Sequence, residues 1–266
     1  MRTVSDSASH SFIEFTGVTK RFGSKVVYRG LDFSLRRGEV FTVVGGSGVG
    51  KSVMLKMLIG LLKADSGSIF FDGADVTKMD EAELSVVRQR IAMLFQSSAL
   101  FDSISVGDNV RYGLEEHFHT KMSKSEQNDR VAWALGLVGL PGIEDMWPAD
   151  LSGGMRKRVG LARAIAVRPE VVLYDEPTTG LDPINTARVN HMIMGLQERL
   201  NITSIVVTHD MKSAFSISDR MAMVHSGQVI YSGTVDEFRN AADLRVRDFV
   251  EGNAPVQEDV QTLLNA

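Results

Sequence analysis

Residues 45–52 read Gly45-Gly46-Ser47-Gly48-Val49-Gly50-Lys51-Ser52, a full match to G-x-x-x-x-G-K-[ST]. The apolar run Val40-Phe41-Thr42-Val43-Val44 stands before it, and Val53-Met54-Leu55-Lys56-Met57-Leu58-Ile59 comes after it with helical spacing. Strand, glycine turn and helix are the setting in which such a loop binds phosphate. The glycines let the backbone curl so that successive N–H groups face one anion. The helix N-terminus adds a partial positive charge. Lys51 is expected to reach the β- and γ-phosphates, and the Ser52 hydroxyl to bind Mg2+. A chance Lys-Ser pair after a glycine turn is the weaker reading of a full match in this context. The loop specifies a nucleotide and is silent on its use.

The bulk composition narrows that use. With 266 residues, 44% of them hydrophobic and 23% charged, the chain has an ordinary globular make-up and room for a sizeable core. A formal net charge of −4 argues against non-specific binding to nucleic acid, and no nucleic-acid partner is expected. The absence of cysteine excludes disulfides and thiolate metal sites. Met1 to His10 is polar and shows no apolar core of a secretory signal. No run approaches the ~18 apolar residues of a spanning helix, so contact with a membrane is expected through a partner.

Around the loop, the pattern is α/β. Short strands are expected at Phe12–Phe15, Lys25–Tyr28 and Leu31–Leu35, then at Ser68–Phe71 before an Asp72-Gly73 turn. Glu81 to Arg90 reads as a charged helix and Ile91 to Phe95 as a buried strand. Residues 104–168 are mainly helical in pattern, with a loop-like polar stretch at Glu115–Gln127. Val171–Tyr174 and Ser204–Val207 are β-branched runs ending in acidic or histidine-bearing turns, as parallel strands do in α/β proteins. Met221–Val224 and Val229–Tyr231 read as a hairpin, and a helix is expected from Val235 to Val250. The expected organisation is a polar tail (1–10), a nucleotide-binding core with an antiparallel β part (11–96 and 166–240), an inserted helical part (97–165) and a helical tail (241–266).

Two further stretches carry chemistry. Val171-Val172-Leu173-Tyr174-Asp175-Glu176 is a strand ending in two carboxylates. Asp175 suits Mg2+ held through bound water, and Glu176 suits a general base on the attacking water. Adjacent strand residues point to opposite faces, so the pair must lie at the turn to share one phosphate. Pro177, which cannot continue a central strand, places that turn. Leu151-Ser152-Gly153-Gly154 precedes the helical run from Met155 to Ile165. Ser152 is a good N-cap, and Gly153-Gly154 permit close approach of a ligand. Taken alone, this is ordinary capping. Beside a P-loop, it gives one subunit two phosphate-binding edges, able to sandwich a nucleotide against a copy of itself. Arg156, Lys157 and Arg158 are expected to form a solvated, dipole-compensating helix face.

With these residues in order, the chain resembles the ATPase subunit of an ABC transporter. Phe22 matches the adenine-stacking aromatic, residues 45–52 Walker A, and Gln96 the Q-loop. Leu151-Ser152-Gly153-Gly154-Met155 matches the signature, residues 171–176 Walker B, Thr179-Gly180-Leu181-Asp182 the D-loop and His209 the switch histidine. The resemblance implies a P-loop NTPase fold with a RecA-like parallel sheet, an antiparallel β subdomain and a helical signature subdomain. It implies ATP and Mg2+ as cofactors and a head-to-tail homodimer around two nucleotides. In that scheme Lys51, Gln96, Glu176 and His209 are catalytic. Phe22, Gly45 to Val53, Ser152, Gly153, Gly154 and Asp182 bind the nucleotide. Ser52, Gln96 and Asp175 hold the metal. Met155 stands where Gln is usual and Gly180 where Ala is usual.

Within the family, the resemblance is to the ATPases of Mla-type phospholipid transport systems. Met93-Leu94-Phe95-Gln96-Ser97-Ser98-Ala99-Leu100-Phe101, Asp108-Asn109-Val110, the Leu151–Arg158 run and Arg245–Gly252 carry it. It implies an integral-membrane MlaE-like permease and an MCE-domain MlaD-like protein, with or without a STAS-domain MlaB-like subunit. It places the chain peripherally at the cytoplasmic face of an inner membrane, driving phospholipid traffic that maintains outer-membrane asymmetry. Ser97–Phe101 is where the permease is expected to dock. The alternatives are the ATPase of an amino-acid or ion importer and a non-transport ABC ATPase. The latter class usually carries long coiled-coil inserts or two cassettes in one chain.

Overall fold

The computed structural model describes residues 11–118 and 122–253. In chain order its strands and helices are β1 (Ile13–Phe22), β2 (Lys25–Leu35), β3 (Val40–Val44), α1 (Lys51–Leu58), β4 (Ser66–Phe71), β5 (Ala74–Asp75), α2 (Glu81–Arg90) and β6 (Ile91–Leu94). Next come α3 (Val106–Phe118), α4 (Lys124–Leu137), α5 (Gly153–Ala166), β7 (Val171–Asp175), α6 (Pro183–Leu200) and β8 (Thr203–Thr208). The last are α7 (Met211–Ile217), β9 (Arg220–His225), β10 (Gln228–Thr234), α8 (Val235–Arg239) and α9 (Leu244–Glu251).

Two sheets result. A four-stranded antiparallel sheet has the order β2-β1-β4-β5, and a six-stranded sheet the order β10-β9-β3-β8-β7-β6. In the larger sheet β9, β3, β8, β7 and β6 run parallel, and β10 closes the edge antiparallel to β9. Every residue of β3, β7 and β8 is buried, which is why their central runs are mostly apolar and β-branched instead of alternating. An aromatic column joins the sheets: the Phe15 and Phe33 rings stack with centroids 4.5 Å apart, and Phe33 stacks on Phe41 of β3 at 5.5 Å.

The helices α3, α4 and α5 share one core with the large sheet. Val110, Leu114, Val131, Leu135, Val159 and Leu161 pack in one cluster with Val172, Tyr174 and Val206. The helical segment is thus seated directly against β7, whose end carries the candidate carboxylates, and β8, whose end leads to His209.

Several expected elements are redrawn. The three short strands at the start are two long ones, because Gly30 (φ 124°) does not end a strand. It is an extra residue between the Val18–Leu31 and Thr19–Arg29 pairs, a bulge that bends β2 while pairing continues. Strand β6 stops at Leu94, before Phe95. The loop expected at Glu115–Gln127 is too wide: α3 runs to Phe118, and α4 begins at Lys124 behind a capping box of Ser123 and Glu126. The single helix expected over Val235–Val250 is two, broken between Asn240 and Asp243, whose side chain caps α9. Residues 1–10 and those beyond 253 of the expected tails lie outside the described residues.

Four charges tie the ends of elements together. Arg90 donates to Glu170 at 2.5 Å and to Asp72 at 2.5 Å, while Arg37 bridges Glu170 and Asp72. The hydrogen bond from Arg90, joined by that from Arg37, outweighs desolvation and holds the Glu170 carboxyl down at about 2. A folded-state value below the unfolded one of about 4.3 means that the pair stabilises the fold fully above that pH. The stabilisation is lost as pH falls toward 2. All four side chains are a third or more exposed, so screening keeps the effect modest. Urea midpoints of wild type and Glu170→Gln should differ at neutral pH and converge as pH drops from about 4.5 to about 2; a difference constant with pH contradicts this.

Candidate active site

Strands β3, β7 and β8 all end at one edge of the large sheet, and the site is built from the turns beyond their ends. After β3, the loop 45–50 turns into α1 through Gly50 at φ 106°. A Cβ there would lie 2.4 Å from Val27 Cγ1 and 3.1 Å from Tyr28 Oη, so only glycine fits. The Tyr28 hydroxyl donates to the Gly50 carbonyl at 2.6 Å and props the turn from outside. No side chain caps α1 and no acidic residue sits in its first turn, so no side chain competes with an anion for the positive end of the helix. Lys51 is 6% exposed, and its ammonium donates to the Gly45 and Gly46 carbonyls at 2.8 and 3.1 Å.

The carboxylates come from the end of β7. Asp175 accepts the Ser52 hydroxyl at 2.7 Å. Glu176 takes a left-handed backbone, φ 49°, while its N–H still donates to the Val207 carbonyl at 2.9 Å. That turn overrides the alternation of a strand: Asp175 meets Ser52, and Glu176 lies 3.5 Å from the Lys51 ammonium. The Glu176 carboxylate also accepts the Thr179 and Thr208 hydroxyls at 3.1 and 3.2 Å, and His209 Nδ1 stands 3.0 Å away. Burial pushes Asp175 above the usual carboxylate range, with the Ser52 bond pulling against it and the neighbouring Glu176 charge adding to it. Burial acts the same way on Glu176, but His209, Lys51 and Thr179 together hold it below that range. Two adjacent carboxylates are thus pushed in opposite directions, an arrangement suited to separate roles.

A cavity of about 320 Å3 opens here, lined by Ser47, Gly48, Gly50, Lys51, Ser52, Val53, Gln96, Glu176 and His209. Each is a residue the sequence singled out. Gly45 and Gly46 bind Lys51 from behind, and Val49 packs toward the core. The remaining candidates lie elsewhere. Phe22, 45% exposed, ends β1 with the Lys20 ammonium 5.3 Å from its ring centroid. Ser152 caps α5 by accepting the Met155 N–H at 3.3 Å. Gly154 makes its close approach to a side chain of the same chain, since a Cβ would lie 3.0 Å from Asn185. Asp182 caps α6, accepting N–H groups of Ile184 and Asn185 at 3.0 Å each. The signature and D-loop residues therefore adjoin one another and do not line the cavity.

The basic run after the signature is not the solvated face expected. Only Arg156 is exposed. The Lys157 ammonium reaches the carbonyls of Thr179 and Glu176, and Arg158 those of Val138 and Gly139 at 3.3 Å each. A lone sequence offers no signal for this, because their partners are backbone atoms of distant turns. The parts played by Tyr28, Thr179 and Thr208 are hidden from the sequence for the same reason. Further along α5, Arg163 donates to the carbonyls of Ser98 and Ala99 at 2.8 Å each, holding two left-handed residues after Gln96. Asn109, fully buried, brackets the backbone N–H and carbonyl of Phe101 at 2.8 and 3.0 Å. Phe101 and Tyr112 present paired, 43% exposed rings, while Leu100 turns inward onto the core.

The donors fit a triphosphate with Mg2+. Ser52, Asp175 and Gln96 offer only oxygen ligands, and no group of three His, Cys, Asp or Glu among the described residues makes a protein cage. That suits a hard ion that keeps its waters and shares phosphate oxygens.

The sequence profile described as ABC transporter matches residues 28–179. The chain belongs to the ABC transporter family. It is an ABC-type ATPase with the α/β P-loop fold of ABC cassettes. It is 40% identical over 246 residues, 92% of each chain, to the "Intermembrane phospholipid transport system ATP-binding protein MlaF" of Haemophilus influenzae. To the "Probable ribonucleotide transport ATP-binding protein mkl" of Mycobacterium tuberculosis it is 41% identical over 240 residues, 90% of this chain and 66% of that one. A dimeric cassette, MJ0796, solved in a post-hydrolysis state with ADP and Pi, superposes with a TM-score of 0.77 at 28% identity, covering 84% of this chain and 98% of that one. Gly50→Ala should lose binding of a fluorescent ATP analogue and lower the melting midpoint, since a left-handed non-glycine residue costs ~1–3 kcal/mol before the clash with Val27. Unchanged binding contradicts the assigned role of that turn.

Proposed function

We propose that the chain is the ATP-hydrolysing subunit of a phospholipid transporter, working as a homodimer at the cytoplasmic face of an inner membrane. Its partners in this reading are an MlaE-like permease and an MlaD-like MCE protein. The observation that carries it is similarity to the phospholipid-system protein along 92% of both chains, with no large unmatched segment on either side. The chain spans only 66% of the ribonucleotide-system relative, although identity is comparable. No helix among the described residues is long and apolar enough to cross a membrane, in keeping with work through a permease.

In this reading Lys51 and the loop amides bind β- and γ-phosphate oxygens, which replace the loop carbonyls as partners of the ammonium. Phe22 stacks on the base, with no hydroxyl to recognise it. Ser52 and Asp175, with Gln96, hold Mg2+, which when bound neutralises charge on the transferred phosphoryl group. Glu176 accepts the proton of the attacking water. Its lowered pKa keeps it ionised, and His209 orients it and reaches toward the γ-phosphate. Ser152, Gly153, Gly154 and Asp182 do not line the cavity in one chain, so in this reading a second copy brings its α5 N-terminus to the open side. Phe101, held by Asn109, offers the permease an aromatic contact.

Glu176→Gln should bind ATP with near-normal affinity and hydrolyse it at least ~10^2-fold more slowly, the typical loss of a general base. Lys51→Ala should fail earlier, at nucleotide binding. Near-normal turnover of Glu176→Gln removes that residue from the role of base. Phe101→Glu should strip the permease from the tagged ATPase while leaving its own ATP affinity intact; full recovery of the permease contradicts the docking assignment. The lipid reading is tested by mild-detergent purification of the native complex. An MCE protein and bound phospholipid are expected. A periplasmic solute-binding protein in their place means a small-solute importer.

A further inference from the structure

Among the charges near the cavity, Lys157 has no evident surface role. It is 8% exposed, although it lies on a helix whose neighbouring Arg156 is in solvent. Among the described residues no carboxylate oxygen stands within ion-pair distance of it, and its partners there are two backbone carbonyls, Thr179 at 2.6 Å and Glu176 at 3.4 Å. Burying an ammonium against carbonyls alone is costly, and charge-assisted bonds of this kind are strong and directional.

Those carbonyls bracket one structural unit. Thr179 N–H donates to the Glu176 carbonyl at 3.3 Å, closing a tight turn over Pro177 and Thr178. The Thr179 hydroxyl returns to the Glu176 carboxylate at 3.1 Å. Glu176 itself sits at φ 49°, a conformation that persists in a non-glycine residue only where surroundings impose it. Lys157 thus grips both ends of the turn that strains Glu176 and carries a hydroxyl to its carboxylate. The grip is rigid because α5 is closely seated. At Gly160, one turn on, an added Cβ would lie 3.0 Å from Leu94 and 3.2 Å from Ser98.

We propose that Lys157 is a positioning residue: anchored on the signature helix, its ammonium holds the 176–179 turn so that the Glu176 carboxylate keeps its aim. This rests on the reading of Glu176 as the base. Lys157 does not line the cavity, so its effect on the reaction passes through Glu176. It links the helix that begins at Ser152 to the geometry of the base in the same chain, so movement of α5 is transmitted to the turn.

The test uses the full chain with Lys157→Met, which keeps length and removes charge, and Lys157→Arg, which restores charge. Lys157→Met should lower kcat about ten- to a hundredfold, the cost expected of a misplaced base, with KM for ATP unchanged. Lys157→Arg should recover a large part of kcat. In a Glu176→Gln background, Lys157→Met should add no further loss, because both act through one group. Lys157→Gln, which keeps a neutral donor and guards against misfolding of the Met variant, should lower kcat by a smaller factor, again at unchanged KM. Wild-type kcat in both neutral variants, or a fall in kcat matched by lost ATP binding, overturns the proposal. So does a full further loss from Lys157→Met in the Glu176→Gln background. Normal turnover of Glu176→Gln alone sinks the underlying reading of the base and not the contact made by Lys157.

Discussion

The site depends on one strained residue. Glu176 leaves β7 in a left-handed turn, and that single φ angle turns its carboxylate toward Lys51 while Asp175 stays on Ser52. Strain of this kind survives only when neighbours over-determine it. Here they come from three parts of the chain: Val207 takes its N–H, Thr208 donates to its carboxylate and His209 lies against it at the end of β8, Thr179 donates to its carboxylate from the turn, and Lys157 holds its carbonyl from α5. The parallel sheet supplies the common edge, because β3, β7 and β8 end together. The shared core of α3–α5 with β7 and β8 fixes the helix that carries Lys157.

The glycine loop and its flanks are legible in the sequence because the chemistry is local. Strand, turn and helix are consecutive, and each requirement is written in adjacent residues. The same holds for the buried strands, whose continuous β-branched runs have no other comfortable place. Geometry set from a distance is not legible. Strand alternation predicts that Asp175 and Glu176 diverge; Pro177 places a turn beside them, but nothing adjacent reveals that Glu176 takes a left-handed backbone. Lys157 and Arg158 resemble surface charges because their partners are carbonyls of remote turns. At Gly30, a glycine that normally punctuates a strand instead forms a bulge within one. The Ser123–Glu126 capping box lies inside a polar stretch whose composition masks a helix start.

One chain presents two chemical edges that do not meet within it. The cavity edge holds the P-loop, both carboxylates and His209. The other holds the capped α5 and α6 N-termini, tied together through Gly154, Asn185 and Asp182. In the proposed scheme a second copy, turned head to tail, supplies the missing wall, and α5 then reports its contact inward to Glu176. On the opposite side of Gln96, Arg163 and Asn109 hold a rigid, left-handed segment that displays Phe101. A single helix thus reaches the nucleotide edge, the base and the surface proposed for the permease.

The composite site is the central claim, and the absence of cysteine makes it directly measurable. Ser47→Cys and Ser152→Cys proteins, each in the Glu176→Gln background, would be mixed and treated with a short bis-maleimide. The account predicts a covalent heterodimer that forms with Mg-ATP and not without it. Absence of that product with nucleotide saturating would contradict the head-to-tail arrangement.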